Sequence, residues 1–206
     1  MNRSSVAAQL IVLAILAHTS AFAATPLPSV SALVKRLQTS GRGEATLAQT
    51  VVSAGETLRA DRGRLSLEPP DRMRIDFQTS GEKVTMRADG GEWIQPSMKQ
   101  LLKLRPEQAQ AAVSTWRAFM DGGAATYRET ARGSRRYRLV PLEPSDGTAD
   151  SIDVELGADG LPRRLQLWIA DQRWLLTLGS WTFGKPKGSP AFTLRAPSGY
   201  SVFEWP

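Results

Sequence analysis

Apolar positions recur with two different periods along this chain, and the change of period marks the predicted elements. Apolar residues fall at helical spacing from Val30 to Leu37, behind a Ser29 that suits an N-cap, which predicts a short amphipathic helix to about Thr39. Beyond this helix, apolar and polar residues alternate, as in a strand with one buried face. The predicted strands are 43 to 53, 57 to 68, 72 to 78, 82 to 88, 91 to 95 and 98 to 104.

A second helix is predicted from Pro106, which takes the position that proline prefers in a first helical turn. Glu107 suits the positive end of the helix dipole, and Gly122 and Gly123 end the helix. The alternating pattern then returns. It predicts strands at 124 to 130, 134 to 140, 150 to 156, 162 to 170, 173 to 182 and 191 to 195.

Together these elements predict an α+β fold that is mainly β: a curved antiparallel sheet forming an incomplete β-barrel, with helices covering its concave apolar side. A sheet of about a dozen strands tends to curl, and helices with an apolar face must cover something. No internal repeat or linker divides the chain, so residues 24–206 are expected to form a single domain. The space between helices and sheet is the expected place for an apolar ligand.

Residues 1–23 have the pattern of a cleaved export signal. Arg3 supplies the positive start, and Ala21-Phe22-Ala23 supplies the small residues that a signal peptidase needs. The apolar run between them is shorter than the roughly 20 residues that cross a bilayer. The sequence therefore predicts export to the periplasm, with a retained anchor as the alternative. Cleavage would remove His18, the one histidine.

The composition argues against most catalytic chemistry. The chain has 206 residues and no cysteine, and its histidine lies in the predicted signal. A mature chain without His or Cys builds no Ser–His or Cys–His pair and no histidine or cysteine metal site. Asp/Glu pairs for glycoside chemistry stay open, but no acidic cluster or phosphate-binding glycine loop stands out. We expect a binding protein rather than an enzyme, with no metal and no cofactor.

The formal charge is +6, from 26 Lys and Arg against 20 Asp and Glu. Many arginines alternate with apolar residues, as Arg72 and Arg74 do around Met73 and Arg136 does beside Tyr137. In a strand this spacing predicts a basic, solvated face opposite an apolar one. A nucleic-acid partner is not expected, because continuous basic stripes and interleaved stacking aromatics are missing. Attraction to an anionic membrane or an acidic partner is the alternative to simple solubility.

Several short motifs occur in an order and spacing that resemble one known family. They are Leu33-x-x-x-Leu37 followed by Gln49, then Gly63-x-Leu65-x-Leu67-x-x-Pro70-x-x-Met73-x-Ile75, Ala88-Asp89-Gly90 before Trp93, Gly157-x-Asp159-Gly160, and Phe192-Thr193-Leu194-x-x-Pro197-x-Gly199-x-x-Val202. Through them, nearly all of the chain after residue 23 resembles the LolA-type periplasmic outer-membrane lipoprotein carriers of the LolA-like and LolB-like superfamily.

The resemblance implies an incomplete barrel closed by helices, whose cavity shields the acyl chains of a lipoprotein. It implies a monomeric carrier with acylated lipoprotein or lipid as cargo, and with an inner-membrane exporter and an outer-membrane acceptor as partners. An acyl chain of roughly 15 methylenes resists leaving a membrane by about 12 kcal/mol, so unassisted transfer through water is negligible. Pro69 departs from the family, since many members have there an arginine implicated in holding the lid shut.

Candidate lipid-binding residues come from two sources. The resemblance implies Leu33, Leu37, Leu65, Leu67, Met73 and Ile75. Periodicity alone adds Val84, Met86, Trp93, Val113, Trp116, Met120, Leu165 and Leu167. Each of these side chains would serve equally well in ordinary core packing.

Two questions stay open at this point. Trp168, Trp174, Trp181 and Trp205 form a C-terminal aromatic set that belongs either under a covering helix or in a contact patch. The function also has alternatives: a LolA-like paralogue carrying another apolar cargo such as a glycolipid or polyene ester, which Pro69 favours, or a non-enzymatic envelope interaction or stress-sensing module.

Overall fold

The computed structural model describes residues 25–143 and 149–205, and only the backbone at 108 and 110–115. The predicted signal at 1–23 and His18 lie outside the described residues. The helices are α1 (Ser31–Ser40) and α2 (Pro106–Asp121). The strands are β1 (Arg42–Ser53), β2 (Glu56–Glu68), β3 (Arg72–Phe77), β4 (Lys83–Arg87), β5 (Gly90–Gln95), β6 (Gln100–Leu104), β7 (Tyr127–Gly133), β8 (Arg136–Pro141), β9 (Ser151–Leu156), β10 (Pro162–Ile169), β11 (Gln172–Gly184) and β12 (Ser201–Glu204).

The described strands form one sheet, in the order β12-β6-β5-β4-β3-β2-β1-β11-β10-β9-β8-β7. Neighbours from β6 to β7 pair antiparallel, and β1 joins the two halves by pairing with both β2 and β11. The sheet does not close, because β12 and β7 remain as its edges. The predicted fold class, a mainly β protein with an incomplete curved barrel, is confirmed.

The C-terminal end differs from the prediction in two ways. Residues 191 to 195 form no strand; instead Ser189–Phe192 is a short 3-10 helix. The last strand is β12, which pairs parallel with β6 and so departs from an all-antiparallel sheet. Phe192 is buried, and Leu194 packs with Ile94 and Leu101 on the outer face of the sheet. Their apolar alternation therefore reflects burial against the sheet and not pairing within it.

Residues 185–200 form a C-terminal strap across the outer face of β3 to β6. The guanidinium of Arg74 donates to the carbonyl of Ala191 at 2.7 Å, and that of Arg87 donates to the carbonyl of Phe192 at 2.6 Å. Arg74 thus faces away from the concave side, as its position next to the inward Met73 predicts. The outer face of this half of the sheet is therefore covered by the chain itself.

A buried carboxylate fastens the start of the strap. Glu68, at the end of β2, is 0% exposed and accepts backbone N–H groups of Lys187 at 2.7 Å and Gly188 at 3.1 Å. The guanidinium of Arg72 lies 2.8 Å from the same carboxylate and balances its charge. Charged hydrogen bonds of this kind are strong in a buried setting, so Glu68 ties the strap to the sheet.

The first helix begins without the predicted cap. Its N-cap is Val30, and the Ser29 hydroxyl is buried with no hydrogen-bond partner among the described residues. The Ser29 N–H instead donates to the Glu129 carboxylate at 3.0 Å, so a tertiary contact replaces the local one. The helix ends at Gly41, whose φ of +91° suits a residue without a Cβ.

Helices and sheet share one main hydrophobic core on the concave side. Leu33, Val34 and Leu37 of α1 are buried there, and α1 packs against β1 and β11. The second helix packs against β4, β5 and α1, and brings Trp116 and Phe119 into the same core. Within the described ranges, neither helix has the length and apolar character needed to cross a membrane.

Candidate functional site

An apolar cavity of about 350 Å³ lies between α2 and the concave face of the sheet. Its walls come from both halves of the sheet and, among the helical side chains that the structure describes, from Trp116. The apolar lining residues are Met73, Ile75, Phe77, Val84, Met86, Trp93, Leu104, Trp116, Leu167, Ile169, Trp174 and Leu176. A space of this size and character suits a hydrocarbon chain rather than a polar substrate.

Strand register explains why the cavity wall on one side is continuous. Met73 pairs with Met86, and Ile75 pairs with Val84, across β3 and β4. Val84 is in turn opposite Trp93 on β5. Residues directly opposite on neighbouring strands share a face, so these side chains form one inward row. Arg72 and Arg74 occupy the alternate positions of β3, so their charges lie on the other face of the sheet.

The cavity brings together seven of the sequence-derived candidates. They are Met73, Ile75, Val84, Met86, Trp93, Trp116 and Leu167. Six others are buried in the main core without bordering the cavity, namely Leu33, Leu37, Leu65, Leu67, Met120 and Leu165. The side chain of Val113 lies outside the described residues. The helix α1 therefore fills its part of the concave side with its own leucines, and the cavity lies under α2.

Sequence reasoning missed eight lining residues. Five are apolar, namely Phe77, Leu104, Ile169, Trp174 and Leu176. Phe77 and Ile169 lie two residues from the candidates Ile75 and Leu167 on the same strands, whereas β6 and β11 carried no candidate. Three are polar, namely Gln49, Arg59 and Glu82. Strand parity was therefore a usable signal for Phe77 and Ile169. Parity gave no signal for Gln49, Arg59 and Glu82, because the search considered apolar residues alone.

A polar rim, made of Gln49, Arg59 and Glu82, borders one end of the cavity. The Arg59 guanidinium donates to the Glu82 carboxylate at 3.0 Å and lies over the Phe77 ring, 4.8 Å from its centroid. The indole N–H of Trp93 donates to the same carboxylate at 2.9 Å. Glu82 thereby holds both the rim arginine and a lining tryptophan in place.

Asp61 supports this rim from the neighbouring position on β2. Its carboxylate accepts backbone N–H groups of Arg62 at 2.7 Å, Thr79 at 3.0 Å and Ser80 at 3.2 Å. Burial by itself would raise the pKa of Asp61, but the hydrogen bonds from Ser80, Thr79 and Arg62 outweigh it and lower the pKa to about 2. The carboxylate is therefore ionised at every physiological pH, and it pins the turn after β3 against β2.

Gln49 differs from the other members of the rim. It is only 5% exposed, and it lies between Asp61 on β2 and Leu176 on β11. Arg59, Glu82 and Asp61 all take part in the hydrogen bonds described above, whereas the Gln49 side-chain amide has no hydrogen-bond partner among the described residues. The fully buried side-chain atoms without a partner in the described part of the chain belong to Ser29, Arg42 and Arg72, so the Gln49 amide borders the open space of the cavity.

The four C-terminal tryptophans take four different places. Trp174 lines the cavity, and Trp205 stacks on the lining Trp93 with ring centroids 6.2 Å apart. Trp181 is buried in the core, where its indole N–H donates to the carbonyl of Pro162 at 3.0 Å. Trp168 lies on the outer face under the Arg138 guanidinium, 5.1 Å from the ring centroid. They are therefore not one contact patch.

A larger depression, of about 680 Å³, lies on the outer face of β8 to β11. It is open and lined by charges, including Arg132, Arg136, Arg164 and Glu155. Arg138 there donates to Asp153 at 2.6 and 2.8 Å. Water and salt screen such a surface, so it offers no shelter for hydrocarbon. It is the basic, solvated face that the alternating arginines predict.

The described part of the chain holds no group of three or more His, Cys, Asp or Glu residues that could bind a metal ion. The carboxylates near the cavity are committed to hydrogen bonds with Arg59, Trp93 and backbone N–H groups. The arrangement is suited to binding an apolar molecule with a polar end.

Comparison with solved structures finds chains of similar fold. An uncharacterized conserved protein from Thermus thermophilus is 13% identical with a TM-score of 0.50, over 84% of this chain and 97% of that chain. A LolA superfamily protein from Nitrosomonas europaea is 8% identical with a TM-score of 0.43, over 80% and 97%. The lipoprotein LppX from Mycobacterium tuberculosis is 7% identical with a TM-score of 0.39, over 82% and 96%.

These likenesses concern the fold alone, since all the identities are low. No protein-family model matches the sequence, and no curated protein matches it. The architecture expected from the sequence, an unclosed sheet with helices on its concave side, is confirmed.

Proposed function

We propose that this protein is an envelope carrier that binds the acyl chains of lipoproteins and transfers them from the inner to the outer membrane without chemical reaction. The observation that carries the proposal is the apolar cavity of about 350 Å³ inside a LolA-like sheet. Ligand cavities run from roughly 300 to 1,000 Å³, so this one has room for a small ligand. Met73 and Met86 in its wall suit a flexible hydrocarbon, because thioether side chains adapt to irregular shapes.

Binding must be reversible for a carrier. Each methylene taken from water contributes about 0.8 kcal/mol, so a fully buried acyl chain would be held too firmly if nothing competed with it. Trp116 on α2 is a competitor in this structure, since its ring packs against the same sheet face that cargo would cover. Cargo and helix then exchange contacts, which lowers the net affinity and lets the cargo be handed on.

The place of action follows from the proposed export signal at 1–23, which sends residues 24–206 to the periplasm as a single domain. There the partners are an inner-membrane exporter and an outer-membrane acceptor, and the carrier works as a monomer. The alternating arginines of the outer face, such as Arg136 and Arg138, keep the loaded carrier soluble.

The test is whether the purified mature protein extracts a triacylated lipoprotein from inner-membrane vesicles into a soluble complex. Val84→Trp should fill part of the cavity; displacing about two methylenes of cargo costs roughly 1.6 kcal/mol and weakens the complex about tenfold. Lys83→Trp is the matched control, because Lys83 is the exposed neighbour on the same strand. Absence of any soluble lipoprotein complex with the wild-type protein would refute the proposal.

A second candidate is a carrier of a different apolar lipid, such as a glycolipid or polyene ester. Two observations favour it: the cavity lies at the small end of the ligand range, and Pro69 replaces the arginine that many LolA-type carriers have. Native mass spectrometry of protein isolated from the periplasm separates the two candidates. A bound free lipid without polypeptide supports the second, and a bound acylated polypeptide supports the first.

A further inference from the structure

The cavity contains one polar group that a purely hydrocarbon ligand would leave unsatisfied. The Gln49 side chain lines the cavity, is 5% exposed, and makes no hydrogen bond to any described residue. A buried amide offers two N–H donors and a carbonyl acceptor, and native structures pair such groups with protein, water or ligand.

The neighbours of Gln49 in the rim are engaged in hydrogen bonds with other groups. On β2 its partner in register is Asp61, whose oxygens already accept three backbone N–H groups. Glu82 accepts from Arg59 and from the Trp93 indole. Among the described members of the rim, the Gln49 amide is therefore the group left to bind something that enters the cavity.

The position of Gln49 indicates where on the ligand its partner would be. On β11 its partner in register is the apolar Leu176, a lining residue, and on β2 it is the charged Asp61. Gln49 thus lies at the boundary between the hydrocarbon part of the cavity and its polar rim. A ligand that fits this boundary has an apolar chain that ends in a hydrogen-bond acceptor.

We propose that Gln49 donates a hydrogen bond to the carbonyl at the head of an acyl chain, so that the cavity selects acyl esters and amides over plain hydrocarbon. This inference rests on the proposed function, since it names the chemical group by which the carried lipid is recognised. Fatty-acyl esters and N-acyl amides both supply such a carbonyl next to a long apolar chain. The amide would act as a positioning and specificity group, while the apolar wall supplies most of the affinity.

The experiment compares two ligands of equal chain length, methyl palmitate and hexadecane, by displacement of a naphthylamine fluorophore bound in the cavity. The wild-type protein should bind the ester roughly tenfold more tightly than the alkane, which is the effect of about one hydrogen bond. Gln49→Leu should remove this preference, because it weakens ester binding and strengthens alkane binding, which no longer leaves an amide unpaired. Gln166→Leu is the matched control, because it removes an amide from the outer face of the sheet, where it lines the charged depression.

Each result separates this inference from the proposed function. If wild type binds both ligands with equal affinity, or Gln49→Leu keeps the ester preference, the assignment of Gln49 is wrong while the carrier function stands. If wild type binds neither ligand, the proposed function itself fails. Thermal melting verifies that Gln49→Leu is folded, and Gln49→Met repeats the measurement if it is not; the comparison of ligands on the wild type needs neither variant.

Discussion

Asp61→Asn should lower the free energy of unfolding by about 2 kcal/mol at neutral pH and by almost nothing near pH 2. The pKa of Asp61 falls from 3.8 to about 2 in the folded protein. At 1.36 kcal/mol per pKa unit, this difference corresponds to about 2 kcal/mol of stability. Asparagine keeps one acceptor oxygen, but if that oxygen accepts from Arg62 and Thr79, its NH₂ group faces the N–H of Ser80 and cannot accept from it.

The sign of the pH dependence follows from the lowered pKa. The folded protein holds the Asp61 proton less tightly than the unfolded chain, so the stabilisation is complete above about pH 5. It is lost progressively as the pH falls through the unfolded pKa toward the folded value of about 2. The asparagine of the variant does not titrate in this range, so the two proteins should converge in stability at low pH.

The assay is urea unfolding followed by tryptophan fluorescence at several pH values between about 7 and 2. The difference between wild type and Asp61→Asn isolates this carboxylate, because the other acids titrate equally in both proteins. Asp89→Asn is the control, since the Asp89 side chain is 78% exposed and its loss should change stability by no more than about 0.5 kcal/mol. A stability difference that does not shrink on acidification would refute the reasoning.

Two further substitutions test what stabilises the fold. Glu68→Ala should lower the free energy of unfolding by about 3–5 kcal/mol, because it leaves the Arg72 charge and two strap N–H groups without their buried partner. Chemical denaturation measures this loss, with Glu56→Ala at the exposed start of β2 as a near-neutral control, and a loss below about 1 kcal/mol for Glu68→Ala would contradict the prediction. Leu37→Ala in α1 should cost about 2–5 kcal/mol by calorimetry, since Leu37 is fully buried. Leu58→Ala on the exposed part of β2 is its control, and equal effects of the two would be inconsistent with a packed α1.

Much of the fold could be predicted from the spacing of apolar residues along the sequence, because each helix and strand has one buried face. Alternation over 57 to 68 predicts β2, which runs Glu56–Glu68, and the Pro106 start with a glycine pair at the end predicts α2. The same criterion failed at Phe192 and Leu194, which alternate but belong to the strap. Burial on top of a sheet and burial within a sheet leave the same pattern in a sequence, and only the contacts distinguish them.

The candidate site was predictable only in part, for a related reason. Periodicity identifies inward residues, and Met73, Ile75, Val84 and Met86 were found in this way. Arg59 was not, because its inward position next to a carboxylate depends on Glu82, 23 residues away along the chain. A charged residue on an apolar face has meaning only when its partner is known.

The sequence alone determined that apolar strand positions such as Met73 and Ile75 share one face, because strand and helix periods are local properties of the chain. It did not determine which inward side chains meet another side chain and which meet open space. Leu33 and Leu37 pack against other side chains in the core, whereas Trp93 and Leu167 border the cavity, although all four are inward and apolar. That distinction belongs to the tertiary structure, since it depends on how closely α1 and α2 approach a sheet whose curvature arises from twelve strands pairing together.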